Sequence, residues 1–164
     1  MAEEIIDEDT QKDKYLTFTL GEELYGIDIR AVIEIIGIMP ITKVPEVPPY
    51  VQGIINLRGK IIPVVDMRLR FGQEYRPYSD RTCVIIISVN DVLIGLIIDG
   101  VSEVLTIPEN SIVPPPELKS VRNRYVKNIG KLSEEKVVLL LDWKKLFSTE
   151  DEALLENIND DSEG

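Results

Sequence analysis

The chain contains no histidine and a single cysteine, and these two shortages exclude the commonest forms of side-chain catalysis. Without an imidazole there is no histidine general base, no histidine metal ligand and no Ser-His arrangement. One thiol can form neither an internal disulfide nor a thiolate metal site. Because Cys83 opens the apolar run 83–87, we interpret it as a small core hydrophobe in a reducing, cytosolic compartment.

Long apolar runs and glycine-rich loops are also missing. The longest apolar runs, such as Val92–Ile98, fall far short of the roughly 18–20 residues needed to span a bilayer. The amino terminus is acidic, whereas a signal peptide begins with basic residues. The glycines are spread singly, so no phosphate-binding loop is indicated. We therefore expect a protein that is neither exported nor inserted into a membrane.

Basic residues are scarce at both ends of the chain. The formal net charge is −11, yet residues 1–14 carry six acids against two lysines, and residues 150–164 carry seven acids and no base. Residues 15–149 hold 16 acids and 16 bases and are neutral overall. Nucleic acids and anionic membranes need a clustered positive field, so the sequence argues against both as partners.

The chain is rich in short segments of β-branched residues. Two of them flank Asn56-Leu57-Arg58-Gly59, which predicts a hairpin, because Asn and Gly tolerate turn dihedrals. Neither strand offers Arg58 a place in the core, so its guanidinium should point outwards. There it is either simply solvated or pairs with a carboxylate or with a partner's carbonyl groups.

Three blocks of the sequence occur twice in the same order. Residues 26–36 recur 69 positions later as 95–105, residues 60–71 recur 76 positions later as 136–147, and a Val-Pro-Pro segment lies between each pair of blocks. We infer two copies of one β-rich unit, each of about 60 residues with roughly five short strands. The expected organisation is an acidic flexible tail over 1–14, subdomains over about 15–71 and 83–147 with a boundary near 72–82, and an acidic helix and tail over 148–164. Strands are allowed to cross between the subdomains.

The segment from Val32 to Met39 is predicted to be extended and to expose a mixed face. If the uncharged face with Ile33, Ile35 and Gly37 is the core, Glu34 stands in water among Val32, Ile36 and Ile38. Such an apolar strip marks a partner interface. The alternative is that the second barrel covers this face, with Glu34 at the rim.

Carboxylates are the remaining candidates for catalysis. Glu34 with Glu103, or Asp66 with Asp142, could form an acid/base pair. Each pair occupies one repeated position, however, which duplication of a structural role explains: helix caps for the aspartates and strand-face charges for the glutamates. We predict no catalytic and no metal-binding residue.

Several motifs closely resemble the CheW family of bacterial chemotaxis coupling proteins. They are residues 20–29, Val32-x-Glu34-Ile35, the Gly53–Gly59 hairpin segment, Pro63–Asp66 and the Ile98–Val104 block, and the likeness runs from about Tyr15 to Phe147. The resemblance implies an all-β fold of two intertwined five-stranded SH3-like barrels plus a carboxy-terminal helix, with no enzymatic activity and no cofactor. It also implies a cytoplasmic adaptor that joins the tips of chemoreceptors (methyl-accepting proteins) to the regulatory domain of the histidine kinase CheA in membrane-associated arrays.

The family's contact positions fall on particular residues of this chain. The resemblance places the receptor contacts, along the groove between the barrels and its hairpin rim, at Val32, Gly53, Arg58, Val84 and Val101. It places the kinase-contact edge at Glu34, Ile36 and Ile38. Two rival classes stay open: a small-molecule sensor would need a pocket with convergent polar groups, and an enzyme would need an activated group.

Overall fold

The computed structural model describes residues 11–116, 124–147 and 149–163. Of the flexible tail expected over residues 1–14, residues 1–10 lie outside the described residues, and Lys14 begins the first strand. The elements, in chain order, are β1 Lys14–Leu20, β2 Glu23–Asp28, β3 Val32–Gly37, β4 Val51–Leu57, β5 Lys60–Asp66, α1 Met67–Arg70, β6 Cys83–Val89, β7 Val92–Ile98, β8 Gly100–Thr106, β9 Ile112–Val113, β10 Val126–Lys131, β11 Val137–Leu141 and α2 Thr149–Glu163. Short 3-10 turns span Ile29–Ala31, Glu109–Ser111 and Trp143–Lys145.

The strands form two sheets, and each sheet takes strands from both halves of the chain. One sheet has the order β8-β1-β2-β11-β10-β9, and the other has the order β3-β6-β7-β5-β4. All pairings are antiparallel except β2 with β11 and β5 with β7. The first strand of each repeat thus pairs with the third strand of the other repeat, and the second strand pairs with the last one. The predicted all-β fold with two similar β units is confirmed.

The internal repeat is visible in the order of the strands. Replacing each strand of the five-stranded sheet by its repeat equivalent, 69 or 76 positions away in sequence, gives β8-β1-β2-β11-β10, which is the order found in the other sheet. The extra strand β9 pairs Val113 with Ile129, and its counterpart is a single bridge between Thr42 and Ile54. The two units are therefore built on one plan.

Close packing explains why both repeats have a glycine where two strands pair in parallel. A Cβ on Gly26 would lie 2.9 Å from Leu140 Cδ2, and one on Gly95 would lie 2.9 Å from Val64 Cγ1. Leu140 and Val64 are themselves repeat equivalents and are the strand partners of these glycines. Close packing inside each unit therefore fixes the same residue at the same place twice.

The largest hydrophobic core lies between the two sheets. It contains Leu16 and Phe18 from β1 together with Ile85 and Ile87 from β6, all at most 1% exposed. Two smaller clusters fill the units themselves, one around Val64, Val84 and Ile86 and one around Ile107, Val138 and Leu140. Sharing one core offsets the thin interior of each small unit, which explains why β6 and β7 are apolar on both faces.

A buried ion pair, which we call the junction pair, ties the two sheets together. Arg68 of α1 donates through Nε and Nη2 to the Asp99 carboxylate at 2.8 and 2.6 Å, and the Gly21 backbone N–H donates to the same carboxylate at 2.7 Å. Asp99 lies where the chain passes from β7 in one sheet to β8 in the other. Burial raises the pKa of Asp99, but the hydrogen bonds from Arg68 and Gly21 outweigh it and hold the pKa below its usual value.

The predicted carboxy-terminal helix is confirmed as α2. Leu155 and Ile158 are buried and Leu154 is half-buried, whereas Ala153 is exposed. Asp151 accepts hydrogen bonds from Tyr50 and, at 3.1 Å, from Arg70. Since Tyr50 and Arg70 belong to the first half of the chain, α2 is anchored far from its position in sequence.

In the described part of the chain, no helix is long and apolar enough to cross a bilayer.

Candidate functional site

The predicted hairpin is present, and its turn has an unusual residue in it. Leu57 pairs with Lys60, so Arg58 and Gly59 form a two-residue loop with φ values of 51° and 89°. The Asn56 side chain accepts a hydrogen bond from the Gly59 N–H at 2.9 Å, which holds the turn. Positive φ at both positions is typical of a type I′ turn, but arginine rarely adopts it. A residue kept in such a conformation points to a role for its side chain.

Arg58 and Glu34 form a two-pronged ion pair at the surface. The two guanidinium nitrogens donate to the two carboxylate oxygens, Nη2 to Oε1 at 2.5 Å and Nη1 to Oε2 at 3.1 Å. Arg58 remains 69% exposed, as expected for an outward-pointing side chain. The hydrogen bonds from Arg58 lower the pKa of Glu34, and those to Glu34 raise the pKa of Arg58, so the pair is fully ionised at neutral pH.

The pair also closes the five-stranded sheet, because β3 and β4 are its two edge strands. Glu34 lies on β3, and Arg58 follows β4 at the hairpin turn. The family resemblance assigned the two residues to contacts with different partners, and those assignments stay predictions. The fold instead brings them together, which no motif in the sequence predicted.

The face of β3 that we expected to be buried is the exposed one. Ile33 and Ile35 are 55% and 41% exposed, and Gly37 at the end of the strand is exposed as well. We call these three residues the β3 outer face. The opposite face, with Ile36, is half-buried. Of the two alternatives stated for this strand, the one that takes the uncharged face as the core is wrong, and Glu34 lies at the rim, where its carboxylate accepts hydrogen bonds from Arg58.

Ile36 and Ile38 pack against the cluster inside their own unit. The alternative that this face is covered therefore holds, although the cover comes from the same sheet. Val32 packs instead on the core between the sheets. Of the three predicted kinase contacts, Glu34 has its carboxylate at the surface, whereas the side chains of Ile36 and Ile38 are half-buried. Their assignment to a kinase stays a prediction.

Two of the predicted receptor contacts are buried. Val84 has no exposed surface and packs inside the five-stranded sheet, and Gly53 is buried beside Thr42. The expectation that these two residues line a surface groove is wrong, because both serve the packing of the sheet that carries Arg58. Their effect on a partner would pass through the position of β4 and β6.

Val101 is the receptor-contact candidate that lines a groove. A cavity of about 480 Å³ lies at the junction of the sheets and is bordered by Thr19 and Val101 from the six-stranded sheet and by Cys83 from the other. Val101 is the repeat equivalent of Val32, and both side chains are half-buried against the shared core. Val101 therefore lies in the wall of a cavity between the two sheets, and its assignment to a receptor stays a prediction.

The candidate catalytic carboxylates have structural roles. Asp66 accepts hydrogen bonds from the Leu69 N–H at 3.2 Å and from the Tyr78 hydroxyl at 2.7 Å, and Asp142 accepts one from the Lys144 N–H at 3.2 Å. Both aspartates cap the turn that follows them, as predicted from the repeat. Within residues 11–116, 124–147 and 149–163, no three Cys, Asp or Glu side chains converge as metal ligands.

The sequence matches the family model described as the CheW-like domain over residues 14–151. It is 38% identical over 151 residues to the chemotaxis protein CheW of Klebsiella aerogenes, which covers 92% of this chain and 90% of that protein. It is 35% identical over 127 residues to the chemotaxis protein CheW of Helicobacter pylori, with 77% of each chain covered.

A solved structure is similar as well. The crystal structure of the scaffolding protein TtCheW from Thermoanaerobacter tengcongensis matches with a TM-score of 0.76 at 43% sequence identity. The match covers 84% of this chain and 93% of that one. Sequence and fold thus agree over the same region, and it is the region that holds the Arg58–Glu34 pair.

Proposed function

Because this chain belongs to the CheW-like domain family, we propose that it couples chemoreceptors to the histidine kinase CheA in bacterial chemotaxis. The protein is a non-enzymatic scaffold of chemotaxis signalling, as its family is. The finer assignment names the two partners between which the scaffold stands. An enzyme no longer competes with it.

The observation that supports the proposal best is the surface around Arg58. A fully ionised arginine and glutamate lie beside the exposed isoleucines Ile33 and Ile35 of the same edge strand. Exposed apolar side chains close to an ion pair are typical of a protein interface, since the apolar side chains contribute affinity and the charges contribute specificity. A helical receptor tip presents both kinds of group and is the partner we assign to Arg58, Val32 and Val101.

The second partner is assigned to the β3 edge. Glu34 marks it, with Ile36 and Ile38 supporting the strand from inside. An edge strand offers backbone groups as well as side chains to another β domain, such as the regulatory domain of a kinase. In this proposal the protein acts in the cytoplasm and is held at the membrane by the receptors.

Replacing Arg58 by alanine is expected to weaken receptor binding by about ten- to more than a hundredfold, because one charge-assisted contact at an interface centre is lost. Arg58→Lys should restore only part of the affinity, since an ammonium lacks the planar fork. Titration of a receptor cytoplasmic fragment against each variant measures this. Equal losses for receptor and kinase domain, or no loss for either, would remove Arg58 from the receptor site.

Replacing Glu34 by alanine is expected to weaken binding of the kinase regulatory domain while the melting midpoint moves by no more than about 2 °C, because an exposed ion pair adds little stability. Titration calorimetry with the kinase domain and a thermal melt give the two numbers. A melt lowered by many degrees would show that Glu34 is structural.

The two variants need one shared control, because each removes the other residue's ion-pair partner. Glu34→Gln keeps the shape and a hydrogen-bond acceptor for Arg58 but removes the charge. If Glu34 itself contacts the kinase, Glu34→Gln should weaken kinase binding more than Arg58→Ala does. If Arg58→Ala weakens kinase binding more than Glu34→Gln does, the loss in Glu34→Ala is explained by displacement of Arg58.

A further inference from the structure

At one end of the six-stranded sheet lies a cavity of about 450 Å³ with three cationic side chains in its wall. It is bordered by the end of β2, the start of β10 and the turn after β11, which contribute Arg30, Lys127 and Lys144. We call it the basic cavity. It is remote in sequence from the hairpin of Arg58, and its cations stand out in a chain whose net charge is −11.

Within the described residues, the two acids in the wall of the basic cavity, Asp28 and Asp142, form no ion pair with Lys127 or Lys144. Asp28 is committed to Arg30, whose backbone N–H, Nε and Nη2 donate to it at 2.9, 3.0 and 2.7 Å. Asp142 caps its own turn and stands 4.0 Å from Lys145. Within the described residues, neither Lys127 nor Lys144 has a carboxylate at ion-pair distance. The wall of the basic cavity thus carries three cations against two carboxylates, and the surplus positive charge lies on Lys127 and Lys144.

The internal repeat shows what belongs in such a place. The repeat equivalents of Lys144 and Arg30 are Arg68 and Asp99, 76 and 69 positions away. Arg68 and Asp99 form the junction pair. The chain itself thus supplies a carboxylate to Arg68, the cation two residues after the capping Asp66. In the basic cavity the acid is replaced by Arg30, and both equivalents are cations. The same backbone plan therefore carries a carboxylate in one copy and lacks it in the other.

We propose that the basic cavity binds a carboxylate ligand from outside the chain, between Lys127 and Lys144, beside the position where this copy has Arg30 and the other copy has Asp99. Trp143 is half-buried in the cavity wall, with the Lys144 ammonium 5.4 Å from the centre of its ring. The indole provides a flat apolar floor for the carbon skeleton of the ligand, while the two ammonium groups hold its charge. The ligand is a free small carboxylate or the side chain of an acidic peptide segment.

Trp143 is the only tryptophan of the chain, so its fluorescence reports on the site alone. The full-length protein is titrated with citrate and, separately, with a hexaglutamate peptide, at ionic strength held constant with sodium chloride. We expect a saturable change with at least one of them, matched by heat in calorimetry. Saturation by citrate alone identifies a free small carboxylate, and saturation by the peptide alone identifies an acidic segment.

The decisive variant is Lys127→Gln/Lys144→Gln, which should lower the affinity at least about tenfold. Its control is Lys131→Gln/Lys136→Gln, which removes the same charge from exposed lysines outside the cavity and should bind like the wild type. The proposal is overturned if neither probe gives a saturable fluorescence change or heat. It is also overturned if the two double variants lose affinity equally, because the effect would then be general screening. Binding of receptor or kinase by these variants is a separate readout and decides nothing about the cavity.

Discussion

Replacing Gly53 by alanine is expected to lower the free energy of unfolding by about 2–5 kcal/mol, since it combines a backbone clash with conformational strain. An ideal Cβ at Gly53 would lie 2.1 Å from the Thr42 carbonyl oxygen, and the residue has a φ of 146°. The Thr42 backbone cannot move away easily, because Thr42 and Ile54 exchange hydrogen bonds at 2.9 and 2.8 Å. Chemical denaturation monitored by circular dichroism measures the loss.

Two other glycines serve as matched controls for this prediction. Gly59 has a φ of 89°, and a Cβ there would meet no atom within 4 Å, so Gly59→Ala isolates the strain and should cost about 1 kcal/mol. Gly37 has neither a positive φ nor a neighbour within that distance, so Gly37→Ala should be nearly neutral. If Gly53→Ala costs no more than Gly59→Ala, the close approach to Thr42 is not what demands a glycine there.

The result also bears on the receptor site. Because Gly53 is buried, any loss of receptor binding in Gly53→Ala should come from displacement of the β4–β5 hairpin that carries Arg58. The loss should therefore be accompanied by lower stability. Reduced receptor binding with unchanged stability would instead make Gly53 a direct contact.

Replacing Arg68 by alanine is expected to destabilise the protein by about 3 kcal/mol, because the Asp99 carboxylate at the junction of the sheets loses two charge-assisted hydrogen bonds and keeps the one from the Gly21 N–H. The side chains of Arg68 and Asp99 are only 9% and 22% exposed, so water replaces the lost hydrogen bonds poorly. Urea unfolding of the wild type and of Arg68→Ala gives the difference.

Arg76 supplies the control for Arg68. Its Nη1 stands 4.0 Å from the same carboxylate, but its side chain is 65% exposed. Arg76→Ala removes an equal charge near Asp99 and should change the stability little. Equal losses in the two variants would show that the net charge around Asp99 matters and that the buried hydrogen bonds of Arg68 do not.

The contribution of the junction pair should depend on pH. Since the pKa of Asp99 is lower in the folded state than in the unfolded one, the stabilisation is fully present above the unfolded value of about 4. It is lost as the pH falls through the folded pKa. The stability difference between wild type and Arg68→Ala should therefore be constant near neutral pH and shrink below about pH 4. A difference that grows on acidification would contradict this assignment.

The sequence by itself determined the class of the fold and its internal symmetry. Period-two apolar segments, turn residues at Asn56 and Gly59 and the repeated blocks are local patterns, and they predicted strands, a hairpin and two copies of one unit. The capping roles of Asp66 and Asp142 followed from the same repetition. Absence of histidine and scarcity of cysteine are properties of composition, so their consequences needed no structure either.

The buried face of β3 was decided by tertiary structure alone. Period two says that Ile33 and Ile35 share one face and Glu34 and Ile36 the other, but it does not say which face meets the core. That choice depended on Arg58, which lies 24 positions from Glu34 in sequence and accommodates its charge at the rim. When a carboxylate has an ion-pair partner far away in sequence, its position in the strand does not show which face of the strand is exposed to solvent.

The residue patterns by themselves did not select the exchange of strands between the two halves, which only the family resemblance implied. Both copies carry the same pattern, so pairing β2 with β5 or with β11 satisfies local preferences equally well. Contacts between residues far apart in sequence select the second arrangement: the parallel pairing of Gly26 with Leu140, and the core that both sheets share. Local propensities are short-range, whereas the register of equivalent strands is set by close packing of side chains, which exists only once the chain has folded.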